Sequence, residues 1–189
     1  MQSRNVELAT ERLVLKLCQP EEASRVVAYF ETNRVHLEEH SPSWPESYLT
    51  VPYWEKQLSA NLEEFESDLT CRLFIFEKAK TDIVIGTANF TQIFRKAAQF
   101  CYLGYGLDKS KQGRGYMTEA LGAAITFAFE EMNLHRIMAN YVPTNERSAS
   151  VLKKLGFQVE GYARDYLYLN GKWRDHILTS LTNKDWQDR

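Results

Sequence analysis

The sequence predicts a single α/β domain over residues 1–189, with a mixed, mostly antiparallel sheet flanked by helices. Three observations predict it. Strand-like segments joined by short turns fill residues 73–107, which is the pattern of consecutive antiparallel hairpins. Apolar side chains then recur at helical spacing from residue 117 to 132. Near the end, Asn170-Gly171, the dipeptide preferred in a two-residue type I′ turn, separates two further strands.

The N-terminal third predicts one strand, two helices and an aromatic loop. Residues 11–17 alternate charged and apolar side chains, as in a half-buried strand. Pro20 and the glutamates after it predict the start of a first helix. Three prolines among residues 41–53 argue against a regular helix, so we expect an irregular loop there and a second helix over 54–66.

The remaining elements follow at short intervals. We expect a turn at Thr81-Asp82 within the first hairpin and a bulge at Gly86. Gly156 stands where the glycine that ends a helix is usual. The predicted elements after the first helices are strands over 73–76, 83–94 and 100–107, a long helix over 117–132, a strand over 136–142, a helix over 145–155, and hairpin strands over 162–169 and 173–181.

Composition excludes several classes of protein. With 23 Lys and Arg against 25 Asp and Glu, the net charge of −2 argues against nucleic-acid binding as the main task. No apolar run approaches the roughly 20 residues of a membrane-spanning helix, and the N-terminus lacks a signal core. Cys18, Cys71 and Cys101 lie far apart in apolar stretches, so we interpret them as buried thiols in a reducing, cytoplasmic compartment.

The segment from Tyr105 to Tyr116 joins a strand to the long helix and contains three glycines, two of them just before the helix, and three cations. A helix start offers unpaired N–H groups, and glycines let the main chain approach an anion closely, so the segment predicts a phosphate site. Neither the Rossmann nor the Walker pattern is met, because Thr118 replaces the third Rossmann glycine and no Gly-Lys-Ser or Gly-Lys-Thr occurs. A nucleotide diphosphate bound by another fold is predicted, although glycine-rich turns of this kind are also common as purely structural features.

This segment and several further segments of the chain resemble the GNAT acetyltransferases, and among them the RimJ type of ribosomal-protein-alanine N-acetyltransferase. The likeness covers nearly the whole chain. It is carried by residues 10–13, 112–120, 135–141, 145–148, 155–157, 160–163 and 173–176. The resemblance implies the GNAT fold, acetyl-CoA as cofactor, and the N-terminal alanine of a small-subunit ribosomal protein as acceptor. It also implies direct attack of the amine in a ternary complex.

The resemblance assigns the cofactor site to two segments. One strand segment would separate from its neighbour, bind the pantetheine arm and supply an N–H that polarises the thioester carbonyl: Tyr105, Gly106 and Leu107. The loop would wrap the pyrophosphate with main-chain N–H groups: Gln112, Gly113, Arg114, Gly115, Tyr116 and Met117. Ser110 departs from the family's usual Gln or Arg, which weakens a side-chain role at that position.

Asn145 and Ser148 lie three residues apart at a predicted helix start, so their side chains share one face. In related enzymes the asparagine contacts pantetheine and a nearby Ser or Tyr protonates the leaving thiolate. The usual tyrosine position holds Leu152, which favours Ser148 as the acid. Alternatively, Asn145 only caps the helix and Ser148 is a solvated residue of its first turn.

The general base stays open in the sequence. Candidates are Glu38, Glu39, Asp165 and a chain of water molecules, and the glutamate position of another transferase subgroup holds Leu167. An α-amine needs less help than a lysine, because near pH 7 roughly a tenth of it is already neutral, against well under a thousandth of a lysine side chain.

Four residues are predicted to line the acceptor groove: Glu38, Glu39, Trp44 and Tyr166. The two glutamates would attract a cationic peptide terminus. His36-Leu37-Glu38-Glu39-His40 matches a zinc pattern, but Pro42 interrupts any helix and no third ligand is evident, so no metal is predicted. Aromatic residues of the last hairpin could stack nucleic-acid bases, although packing in the core or groove wall is the preferred interpretation: Tyr162, Tyr166, Tyr168 and Trp173. His135 and His176 are interpreted as structural.

Two rival functions stay open. One is acetylation of a small amine such as an antibiotic or a polyamine. The other is a catalytically silent CoA-binding or ribosome-assembly module. We expect a monomer or weak dimer with no membrane contact, a ribosomal protein N-terminus as partner, and contact with the small ribosomal subunit as an additional role.

Overall fold

The computed structural model describes residues 6–188, which form an eight-stranded sheet in the order β1-β2-β3-β4-β5-β6-β8-β7. Every neighbouring pair is antiparallel except β5 with β6, which is parallel, so the predicted mixed sheet is confirmed. The strands are β1 (Glu7–Ala9), β2 (Leu13–Lys16), β3 (Cys71–Glu77), β4 (Lys80–Phe94), β5 (Phe100–Leu107), β6 (Arg136–Met138), β7 (Gln158–Leu169) and β8 (Lys172–Thr182).

Helices cover both faces of the sheet. Those of one face are α1 (Ala23–Thr32), α2 (Arg34–Glu38) and α3 (Val51–Glu66); those of the other are α4 (Tyr116–Glu130) and α5 (Glu146–Lys154). Because side chains alternate along a strand, Leu73 and Ile75 of β3 join the core under α4, whereas Phe74 and Phe76 join the core under α1 and α3. Burial on both faces explains why this strand is a continuous apolar run.

The predicted first strand over 11–17 is confirmed as β2, although it covers only Leu13–Lys16, and a short strand that was not predicted, β1, precedes it. β1 pairs with β2 around a turn at residues 10–12, where the Thr10 N–H donates to the Leu13 carbonyl at 2.9 Å. Sequence patterning missed β1 because three residues are too few to show an alternation.

The turn predicted at Thr81-Asp82 is wrong, because Glu77 pairs with Lys80 and the chain reverses at residues 78–79. Residues 80–83 are polar or exposed because this end of β4 projects into solvent. The expected bulge is confirmed next to Gly86: Ile75 pairs with Gly86 and Phe76 with Val84, which leaves Ile85 as the extra residue.

The aromatic loop is less irregular than predicted. A short 3₁₀ helix covers Glu46–Leu49, and α3 begins at Val51, three residues before its predicted start. Pro52 lies in the first turn of α3, where a missing N–H costs nothing, and the Thr50 hydroxyl accepts from the Tyr53 N–H to cap the helix. Proline therefore marked a helix start here, not a helix break.

The final hairpin confirms the predicted turn. Asn170 and Gly171 both have positive φ, as a type I′ turn requires. A register shift after Ala163, with Asp165 at a φ of +45°, breaks the alternation along β7. Three of the aromatic side chains predicted to lie in the core or in a groove wall are more than half exposed, which excludes the core for them: Tyr162, Tyr168 and Trp173.

The burial expected for the three cysteines is confirmed, and the rings of His135 and His176 both contact neighbouring residues of the fold. All three cysteines are buried and free, and burial raises the pKa of the Cys71 and Cys101 thiols to about 12. The ring of His176 is buried with Nδ1 2.9 Å from the Arg174 carbonyl, and His135 packs edge-on against Trp186. Within residues 6–188 no helix is long and apolar enough to cross a membrane.

Candidate active site and cofactor loop

The glycine loop between β5 and α4 adopts a conformation that requires its glycines. Gly113 and Gly115 have φ of +76° and +79°, in the left-handed region that other residues adopt only with strain. A Cβ on Gly113 would meet no atom within 4 Å, so this glycine serves backbone conformation and outward access rather than tight packing inside the protein. Gly115 is also the N-cap residue of α4.

The loop presents unpaired main-chain donors. The first main-chain hydrogen bond of α4 runs from the Glu119 N–H to the Gly115 carbonyl at 3.0 Å. Within residues 6–188, the N–H groups of Gly113, Arg114 and Gly115 find no protein acceptor. Together with the positive end of the helix dipole of α4, these donors form a site suited to an anion.

An ion-pair clamp that the sequence reasoning missed holds this loop in place. Arg12 contacts both carboxylate oxygens of Glu119 through its main-chain N–H (2.8 Å) and its guanidinium (2.6 Å), and its Nη1 donates to the Arg114 carbonyl at 3.0 Å. The Thr10 hydroxyl also donates to Glu119, at 2.6 Å. Partial burial alone would raise the pKa of Glu119, but the hydrogen bonds from Thr10 and Arg12 outweigh it and lower that pKa.

A second clamp fixes the other side of the loop. Glu77, at the end of β3, accepts from the Tyr116 hydroxyl at 2.8 Å and from Lys111 at 2.6 Å, and the hydrogen bond from Lys111 is the main reason that its pKa is lowered. The Arg12 guanidinium lies 4.5 Å from the centre of the Tyr116 ring. The Tyr116 side chain therefore braces the loop, and Met117 is buried in the core, so both could reach an anion only through their main chains.

The two strands at the parallel pairing separate beside the loop. β5 and β6 pair only from Phe100 to Tyr102, so within the described residues no strand pairs with the rest of β5 on that side. The Asp108 N–H donates to Ile85 of β4, so the main-chain groups of Asp108 face β4. The directions of N–H and C=O alternate along a strand. Those of Tyr105 and Leu107 therefore face away from β4, toward the gap that opens between β5 and β6. His36 Nε2 lies 2.8 Å from the Leu107 carbonyl, which agrees with that direction.

Ser148 and Asn145 lie at this gap, on the first turn of α5. The Asn145 side chain accepts from the Ser148 N–H at 3.1 Å, so Asn145 does cap the helix. The Ser148 and Tyr105 hydroxyls share a hydrogen bond of 2.6 Å, and burial raises the pKa of Tyr105 to about 12. Leu152 is buried in the core. Arg147 donates to the Gln112 side chain, which ties α5 to the glycine loop.

The four predicted acceptor residues have different surroundings in the structure. Glu39 lines a cavity of about 390 Å³ together with the start of α5, including Asn145, whereas Glu38 is paired with Arg34 at 3.0 Å. Trp44 stacks on Tyr48, 4.5 Å between ring centres, in an aromatic cluster over α1 and α3.

The structure places Tyr166 beyond the point where β5 and β6 separate. Its hydroxyl accepts from Asn140 at 3.2 Å, and its ring lies 5.4 Å from that of His176. Asn140 lies two residues after Met138, the last residue of β6 that pairs with β5, so Tyr166 lies near the point where these two strands separate. No group of His, Cys, Asp or Glu among residues 6–188 has the arrangement of a metal site.

Comparison with known proteins agrees with this geometry. The acetyltransferase (GNAT) domain model matches residues 12–158. The [ribosomal protein uS5]-alanine N-acetyltransferase of Escherichia coli strain K12 is 42% identical over 182 residues, covering 96% of this chain and 93% of that protein. A ribosomal-protein-S5-alanine acetyltransferase structure from Vibrio fischeri, 38% identical, superposes with a TM-score of 0.92 over 97% of this chain and 100% of that one. Mycobacterium smegmatis RimJ in complex with CoA-disulfide is 25% identical, with a TM-score of 0.86, covering 97% and 89%. The chain therefore belongs to the GNAT family and is an acetyl-CoA-dependent N-acetyltransferase.

Proposed function

We propose that this enzyme acetylates the N-terminal alanine of ribosomal protein uS5. The observation that carries the proposal is the 42% identity to the Escherichia coli uS5-alanine acetyltransferase over nearly the full length of both chains. Similarity of that extent includes the acceptor side of the molecule as well as the cofactor loop. We also propose contact with the assembled small ribosomal subunit. The support for it is that the relative is named for acetylating a ribosomal protein.

The loop fits the pyrophosphate of coenzyme A. Its glycines leave the main chain open, and its unpaired N–H groups at the start of α4 match the oxygen acceptors of a diphosphate. We assign this role to the main chain of residues 112–117, with the exposed Arg114 side chain adding a cation. The clamps around Arg12 and Glu77 act indirectly, by holding the loop in its binding conformation.

The gap beside β5 fits the pantetheine arm. Acetyl-CoA supplies the acetyl group as a thioester, an activated acyl donor. We assign the Tyr105 and Leu107 main-chain groups to the arm and the thioester carbonyl, because they face the gap while Gly106 pairs with Thr87 of β4. An N–H fixed by a strand polarises a carbonyl without reorganisation during the reaction.

Ser148 is assigned as the group that gives a proton to the departing sulfur. Because Tyr105 keeps its proton at neutral pH, it can donate to Ser148 Oγ, which leaves the serine proton free to be transferred. Asn145, held by its cap on the Ser148 N–H, is assigned to a contact with the arm.

The acceptor amine must lose its proton before it attacks. Near pH 7 roughly a tenth of an α-amine is neutral, so a weak base or water suffices for it. Glu39, in the cavity at the start of α5, would attract the charged form of the terminus to the site.

The proposal is tested by comparing amines and by examining cells. Purified enzyme is given acetyl-CoA with a uS5 N-terminal peptide, the same peptide blocked at its α-amine, and a set of polyamines and antibiotics. We expect acetylation of the unblocked peptide alone. Ribosomal proteins from cells lacking the gene should show uS5 without its acetyl mass. Turnover of a polyamine with no peptide activity would reject the acceptor, and CoA binding without any turnover would reject catalysis.

A further inference from the structure

A second pocket, of about 210 Å³, lies between the α1–α3 layer and the sheet. Aromatic rings form its outer wall: Phe30, Tyr48, Tyr53 and Trp54. Its floor is the β3–β4 pair, where Arg72 is opposite Asn89 and Phe74 is opposite Thr87. It lies on the opposite face of the sheet from α5 and Ser148, so it is separate from the cofactor loop.

Two buried donors in this pocket have no hydrogen-bond partner within residues 6–188. Trp54 is 5% exposed, and its Nε1–H finds no acceptor. The Arg72 Nε–H is also unpaired, because the nearest carboxylate oxygen, of Glu64, is 3.6 Å away and already accepts from Thr70. Buried donors are rarely left without an acceptor, because an unsatisfied buried donor has lost its hydrogen bond to water and gained none in return. Both groups are donors only, so the ligand that satisfies them must offer an oxygen acceptor.

The rest of the lining supports the same polarity. Gln57 donates to the Asn61 side-chain oxygen at 2.9 Å, which leaves the Asn61 amide nitrogen as a further donor. Asn61 is itself buried. The Arg72 charge is only partly balanced by Glu64, which makes the pocket more favourable for a carbonyl or carboxylate than for a cation.

The pocket lies beside the strand that is assigned to the thioester. Asn89 and Thr87 pair across β4 and β5 with Gly104 and Gly106, the two residues that flank Tyr105. A Cβ on Gly104 would meet no atom within 4 Å, whereas one on Gly106 would meet Leu37 and Tyr29, so the surface between the pocket and β5 is open at Gly104. Neighbouring strands are about 5 Å apart, a distance that an extended peptide of about 3.5 Å per residue covers with one to two residues.

We propose that this pocket is the subsite for the residue that follows the acetylated one in a peptide acceptor. Its ligand is an oxygen acceptor of that residue, either the main-chain carbonyl or a side-chain carboxylate. The inference rests on the proposed function, since it requires a peptide whose α-amine reaches β5.

Steady-state kinetics on three tetrapeptides test the subsite. The peptides carry Ala first and Ala, Asp or Lys second. The variants are Arg72→Gln and Trp54→Phe, and the control is Arg25→Gln, which removes an arginine paired to a glutamate outside the pocket. CoA affinity by calorimetry and melting temperature show whether each variant is folded and loads its cofactor.

We expect Arg72→Gln to lower kcat/KM about tenfold, mainly through KM, with CoA affinity unchanged, as for loss of one charge-assisted hydrogen bond. Trp54→Phe should lower it severalfold. An equal loss on all three peptides identifies the main-chain carbonyl, and loss of a preference for Asp identifies a carboxylate. Values equal to those of Arg25→Gln on every peptide would overturn the subsite. Wild-type enzyme inactive on every peptide would instead reject the proposed function, and with it this inference.

Discussion

The cofactor side and the acceptor side of this enzyme are built in different ways. The cofactor loop is one continuous segment, residues 112–117, and its assigned contacts are main-chain N–H groups whose direction is set by backbone conformation. The proposed acceptor side combines side chains from α1, α3 and the three strands β3, β4 and β7, which are distant in sequence. A site made of main-chain groups keeps its function with many different side chains but only with a few backbone conformations. A site made of side chains depends on which amino acid stands at each position.

The largest effect should come from backbone conformation in the loop. Gly115→Val forces a β-branched residue into the left-handed region, which costs about 1–2 kcal/mol and displaces the donors. We expect CoA affinity to fall by about a hundredfold or more, measured by calorimetry. Gly122→Ala is the matched control, because a Cβ there meets nothing within 4 Å and alanine favours a helix by up to about 1 kcal/mol. Normal CoA binding by Gly115→Val would contradict the view that the cofactor site depends on the backbone conformation of this loop.

The next effect separates chemistry from binding at Ser148. Ser148→Ala should lower kcat by about 10²–10³, the contribution of a general acid, with CoA affinity nearly unchanged. Tyr105→Phe keeps the ring but removes the hydrogen bond to Ser148, so we expect a loss of about tenfold in kcat. A pre-steady-state measurement of acetyl transfer checks both. If Tyr105→Phe reduced activity more than Ser148→Ala, the proton donor would be the tyrosine.

The smallest effect concerns the clamp and its pH dependence. Since the pKa of Glu119 is lower in the folded protein, its carboxylate stabilises the fold above the ordinary pKa of about 4.3. That contribution is lost as the pH falls through the folded-state pKa. Glu119→Gln should therefore melt about 2–4 °C lower at pH 7, for a partly exposed ion pair worth about 1 kcal/mol, and the difference should shrink below pH ~4.

Melting curves between pH 3 and 7 measure this, with the exposed Glu21→Gln as control. A difference that stayed constant with pH would mean that Glu119 acts through packing and not through charge.

The sequence predicted most strands and both long helices of the C-terminal half, where periodicity is sustained and turns carry Gly or Asn. The prediction was wrong where elements are short or where one residue type is compatible with two different local structures. Pro52 was interpreted as a helix breaker although it also fits a first helical turn. A place in the core was allowed for Tyr162 and Tyr168 because alternation along a strand does not show which face of the sheet other elements cover.

For the site, the glycine loop and the Asn145–Ser148 pair could be found because each is local in sequence. The Arg12–Glu119 clamp and the Tyr105–Ser148 hydrogen bond join residues 107 and 43 positions apart. A faint signal existed for the first, since residues 10–13 belong to the family resemblance. The Arg72–Trp54 pocket gave no signal at all.

By itself the sequence determined the fold class and the family, and it located the loop proposed for a diphosphate, because backbone conformation and hydrogen-bond donors in a short loop follow from neighbouring residues. Tertiary structure alone decided which distant side chains meet: Ser148 with Tyr105, Arg12 with Glu119, and Arg72 with Trp54. The physical reason is that these contacts depend on strand order and on helix placement over the sheet, which only packing of the whole chain sets.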